Sequence, residues 1–82
     1  SKPSPDFPKF FDGLVKAIIS GQLPGDVHAK ALMVKDLQSP VDQAAALTAF
    51  SSDPVYTKEQ KILLDALIKD SNLALPDVPG KE

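Results

Sequence analysis

The sequence predicts an all-α fold: a small compact bundle of about four short helices, near residues 7–20, 26–37, 40–50 and 58–70, with extended proline-containing termini. Three observations carry this expectation. Apolar residues recur at steps of three and four, the spacing of one helix face. Capping residues and prolines stand where such stretches begin and end. No segment alternates apolar and polar residues long enough to make a strand, and β-branched residues are scattered.

The opening SKPSPDFP holds Pro3, Pro5 and Pro8, and proline disfavours helix in the residue before it. Residues 1–6 are therefore expected as an extended lead-in, with Asp6 capping a first helix that Pro8 joins in its first turn. Phe7, Phe10, Phe11, Leu14, Val15, Ile18 and Ile19 make its broad apolar stripe. Asp12 and Lys16 stand i, i+4 in the favourable order, and Gly21 suits the left-handed position that closes a helix.

Pro24-Gly25 marks a turn, after which Asp26 is expected to cap the second helix. Val27, Ala31 and Val34 form one row, and Leu32, Ala29 and Met33 widen it, so much of this helix is expected to be buried. Ser39-Pro40 is a cap followed by proline at the first helical position, and Asp42 favours the positive end of the third helix. That helix is poor in bulk, with Ala44, Ala45, Ala46 and Ala49 around Val41, Leu47 and Phe50. Small side chains permit close approach, so it is expected to be central or tightly packed. Thr57-Lys58-Glu59-Gln60 matches a capping box for the fourth helix, whose apolar face holds Ile62, Leu63, Leu64, Ala66, Leu67 and Ile68. The domain is thus expected over residues 7–70, and residues 71–82, with Pro76, Pro79 and Gly80, as an extended tail. Asp12–Lys16 and Asp65–Lys69 sit in similar surroundings, each followed by a Leu-Pro step (Leu23-Pro24, Leu75-Pro76); generic helix-and-stop chemistry accounts for this better than a repeat.

The composition narrows the function. A chain of 82 residues has room for one domain and must fold without disulfides, since it has no cysteine. Its mildly acidic balance, net charge −2, puts every positive charge on lysine and none on arginine, which argues against nucleic-acid binding. The third helix, expected at 40–50, has no lysine or arginine with which to read DNA. No apolar run approaches the ~20 residues of a membrane span, and no signal-peptide pattern is visible. The chain opens on Ser1 rather than methionine, as a processed or excised chain does.

No constellation of catalytic, metal-binding or phosphate-binding residues emerges, so no cofactor is expected. His28 is the single histidine, and Asp26, two residues away, points to another side of the helix. The preferred expectation is a non-enzymatic interaction or assembly domain that meets another protein, or a second copy of itself, through an exposed apolar helix face or groove. The candidate partner-binding residues are Phe7, Phe10, Phe11, Leu14, Leu63 and Leu67, on the wide faces of helices one and four. Pro5-x-x-Pro8 and Pro76-x-x-Pro79 fit the minimal polyproline pattern, which is a weak signal. The alternative is a small helical carrier of an apolar ligand, and an enzyme acting through His28 comes third.

Overall fold

A computed structural model describes residues 4–73. It contains four helices: α1 (Phe7–Ile19), α2 (Asp26–Lys35), α3 (Pro40–Ser51) and α4 (Lys58–Asp70). Each packs against two neighbours, α1 with α2, α2 with α3, α3 with α4 and α4 with α1, so the four close into a ring around one core. The fold is a small all-α bundle. Observed ends differ from the expected ones by at most two residues, which is the usual ambiguity of a fraying last turn.

The caps explain the starts. Asp6 accepts a hydrogen bond from the Lys9 backbone N–H at 3.0 Å, and Ser39 accepts one from Asp42 at 3.3 Å. At Thr57 both halves of the capping box form: the Gln60 N–H donates to the threonine hydroxyl (3.1 Å), and the Thr57 N–H donates to Oε1 of Gln60 (2.9 Å). α2 departs from expectation. Its N-cap is Gly25, with no side-chain hydrogen bond, and Asp26 is its first residue. The Asp26 carboxylate is engaged by Lys30 and Tyr56 and is not spent on the helix end.

Two stops share one geometry. Gly21 (φ 78°) and Asn72 (φ 60°) take the left-handed conformation just past α1 and α4. The N–H of Gln22 then donates to the Ala17 carbonyl (2.8 Å), and that of Leu73 to the Ile68 carbonyl (3.0 Å), satisfying carbonyls that the helix leaves free. Each turn folds a leucine onto the core, Leu23 and Leu73, both almost fully buried. Residues 71–73, at the start of the expected tail, are held against the domain. Ser71 and Leu73 are buried, and the Ser71 carbonyl accepts from the Asp6 N–H at 2.8 Å, tying the end of α4 to the start of α1. Pro76, Pro79 and the remaining expectations for residues 74–82 lie outside the described residues.

The internal echo is out of register. Both exposed ion pairs form, Asp12–Lys16 at 3.0 Å and Asp65–Lys69 at 2.9 Å. Yet Asp12 lies seven residues before the end of α1 at Ile19, and Asp65 five before the end of α4 at Asp70. Leu14 is fully buried, whereas its counterpart Leu67 is half-buried.

The core comprises Phe10, Leu14 and Ala17 from α1, Val27, Ala31 and Val34 from α2, Leu47 and Phe50 from α3, and Leu64 and Ile68 from α4, with Leu23, Tyr56 and Leu73 from the connections. Gly13 lets α4 come close to α1: a Cβ built there would stand 2.6 Å from a methyl carbon of Leu67. The glycine that weakens the isolated helix thus serves the seam.

Two packing expectations are corrected. α2 buries only its Val27-Ala31-Val34 row; Leu32 and Met33 are 43% and 72% exposed, and Ala29 is exposed too. α3 is not central. It holds to the core by Leu47 and Phe50, while Val41, Ala45 and Ala49 face solvent. The spacing between packed helices is set by their bulkiest contact residues. At the α2–α3 seam Val34 and Phe50 are buried, while Ala46 is only half-buried and Ala49 exposed.

Candidate functional site

The shortage of bulk on α3 leaves an open groove between α2 and α3 of about 320 Å³. Met33 and Val34 line it from α2, Leu37 from just beyond the end of α2, and Ala46, Ala49 and Phe50 from α3. Lys30 and Asp53 stand at one end. Val34 and Phe50 are buried beneath it, whereas Met33 projects from the rim. A thioether on a flexible unbranched chain suits a surface that must adapt to what it meets.

At the Lys30 end, the α3–α4 connection places Tyr56 against α2. The Lys30 ammonium donates to Oη of Tyr56 at 2.9 Å, and the Tyr56 hydroxyl donates to Oδ2 of Asp26 at 3.1 Å. Lys30 also pairs with Asp26 at 3.2 Å and, more loosely, with Asp53 at 3.9 Å. The ring of Tyr56 is buried against Phe50, centroids 5.7 Å apart, with the ammonium 4.9 Å from its centroid. The Asp26–Lys30 pair has i, i+4 spacing, a signal visible in the sequence. Tyr56 has none, being a lone aromatic in a connection of Ser, Asp, Pro and Val.

These contacts move three pKa values. Burial raises that of Tyr56, reinforced by Asp26 and opposed by Lys30. The hydrogen bonds to Tyr56 and then to Asp26 raise Lys30. Burial works to raise Asp26, but the hydrogen bonds from Lys30 and Tyr56 outweigh it, and its carboxyl is lowered. A lowered carboxyl stabilises the fold above its unfolded value of about 4, and this contribution is lost as the pH falls through the folded value. The raised lysine and tyrosine stabilise below their unfolded values of about 10, and their contribution is lost as the pH climbs through the folded ones. Tyr56 is the single tyrosine in a chain without tryptophan, so phenolate absorbance reports it alone. The expected midpoint is higher in the native chain than in urea-unfolded chain; equal midpoints would show that the hydroxyl is not held.

The six candidates from the sequence lie elsewhere. Phe10 and Leu14 are fully buried and present no surface to a partner, which removes them from that role. Phe7, Phe11, Leu63 and Leu67 are half-buried and pack against the core. The three phenylalanines pack on one another, Phe11 standing 6.4 Å from Phe7 and 6.0 Å from Phe10 between ring centroids. α2 covers Phe11 further, with His28 edge-on at 5.3 Å and the Lys35 ammonium 5.9 Å from the ring centre. The wide apolar faces of α1 and α4 are largely spent on the bundle, and the open groove lies on the opposite seam.

His28 is half-buried, and its neighbour Asp26 is engaged by Lys30 and Tyr56, so the two form no catalytic pair. Among the described residues, no three of His, Asp and Glu converge as a metal site, and no helix is long and apolar enough to cross a membrane. Compared with protein-family models, with curated proteins and with solved structures, the chain matches none.

Proposed function

We propose that this chain is a protein-interaction domain that takes apolar side chains of another protein into the α2–α3 groove. The observation that supports the reading is the groove itself: an open apolar trough with a buried floor at Val34 and Phe50 and the exposed thioether of Met33 on its rim. Covering such a surface removes apolar area from water at about 25 cal/mol per Å². A second reading, a carrier of a small apolar ligand, is supported by the volume of about 320 Å³, at the lower end of ligand pockets. The open side favours the first, since a ligand lying there would keep one face in water.

Display selection of random peptides on the immobilised 82-residue chain, repeated on Ala49→Phe, tests the proposal. The expected result is enrichment of peptides with apolar anchors that shift the amide resonances of Met33, Leu37 and Ala46 and fail on the filled variant. Peptides that bind Ala49→Phe equally well, or no enrichment at all, would defeat it. A lipid-sized adduct in native mass spectra, lost on Ala49→Phe, would put the carrier reading in its place.

A further inference from the structure

The charges bordering the groove define its partner more closely, and we infer that it fits a basic amphipathic segment, an apolar stripe flanked by lysine or arginine. This inference rests on the interaction reading above. On α2, Asp26, Lys30 and Met33 follow one another at helical spacing along one row, and Leu37 lines the groove just beyond the helix end. Across the groove, Asp42, Ala46 and Ala49 follow the same spacing on α3, and Asp53, two residues beyond its end at Ser51, also lines the groove. Two alanines of this side are thus preceded by Asp42, one turn earlier on the helix, and followed by Asp53 in the connection. The two sides together carry three carboxylates and one ammonium.

That ammonium is already engaged. Lys30 holds Tyr56 and Asp26 at 2.9 and 3.2 Å and reaches Asp53 only at 3.9 Å. Asp53 spends its Oδ1 on the Val55 N–H (2.9 Å), while among the described residues Oδ2 has only the long contact to Lys30. Its side chain, 39% exposed, offers that oxygen to an incoming donor. The other cation of α2, Lys35, lies over the Phe11 ring toward α1, and α3 carries none. Carboxylates along the two sides outnumber the single ammonium, so a partner's cation is favoured beside Asp42 and Asp53 and a partner's carboxylate is disfavoured. Asp42 lies in the first turn of α3 and Asp53 just past its last, so a helical partner would place its cations toward its two ends, with its apolar residues between them.

Two synthetic 14-residue amphipathic helices with the same leucine stripe, one with lysine and one with glutamate on the polar face, separate the possibilities when titrated into the isotope-labelled full chain. The lysine peptide is expected to shift the amides of Met33, Leu37, Ala46 and Ala49 and to bind about three- to tenfold tighter than the glutamate peptide at low salt. Asp53→Asn, which keeps the Oδ1 acceptor, and Asp42→Asn should each narrow that difference. Equal binding of both peptides in the groove would overturn the charge inference and leave groove docking standing. A preference for lysine that neither substitution alters would also overturn it, as general attraction to an acidic protein. If neither peptide shifts the groove amides, groove docking falls as well.

Discussion

Phe10→Ala is expected to lower the unfolding free energy by about 3–5 kcal/mol, the range for deleting a buried aromatic side chain. Phe10 has no exposed surface, and its ring meets that of Phe11 edge-on at 6.0 Å. Truncation leaves a cavity where α1 joins the ring of helices. Neither Gly13 nor Ala17, beside it on α1, has the bulk to refill it. A domain of this size holds roughly 4–10 kcal/mol in all, so this one substitution should remove a large share of its stability. Urea unfolding followed by helical circular dichroism gives the difference. Ile19→Ala, at a side chain 80% exposed on the same helix, should change stability by less than about 0.5 kcal/mol. A loss under about 1 kcal/mol for Phe10→Ala would mean that α1 does not dock through this ring.

Tyr56→Ala should cost nearly as much, about 3–4 kcal/mol, although the residue belongs to no helix. Its ring closes the end of the core against Phe50, and its hydroxyl joins Lys30 and Asp26. Tyr56→Phe separates the two roles. The ring stays, the hydroxyl goes, and the expected loss is about 1 kcal/mol, because Asp26 and Lys30 are partly exposed and keep each other and water as partners. The same unfolding measurements check both variants. Equal losses would place the whole effect in the hydroxyl and contradict the buried ring. A loss for Tyr56→Phe that persists above the pH at which the phenol ionises would contradict the hydrogen bond to Asp26.

Most of the fold was legible in the sequence. Helix ends are decided within a few residues, by proline at Pro8 and Pro40, by hydroxyl and carboxylate caps at Asp6, Ser39 and Thr57, and by glycine at Gly21. Each acts on backbone groups three or four positions away, so local spacing is enough to find it. Asp26 shows the limit. Its position suited a cap, but the competing partner, Tyr56, stands 30 residues further along the chain.

The groove was less legible, for a related reason. Helical periodicity shows which residues can share a face, but not which neighbour covers that face. Phe7, Phe10, Phe11, Leu14, Leu63 and Leu67 make conspicuous stripes, and the bundle fills its core with such bulk first. The alanines of α3 were legible as small, and small residues can mean close approach or open space. The structure decides in favour of open space: Ala46 and Ala49 line a groove whose buried floor is Val34 and Phe50.

By itself, the sequence determined that this chain is helical, where each helix starts and stops, and that cysteine and arginine chemistry have no part in it. Only the tertiary structure decided which apolar faces meet, that Tyr56 gathers Lys30 and Asp26, and that an apolar groove remains between α2 and α3. The physical reason is range. Caps and periodicity act over one turn of helix, whereas burial is a competition among all apolar faces of the chain, settled only when the helices close on one another.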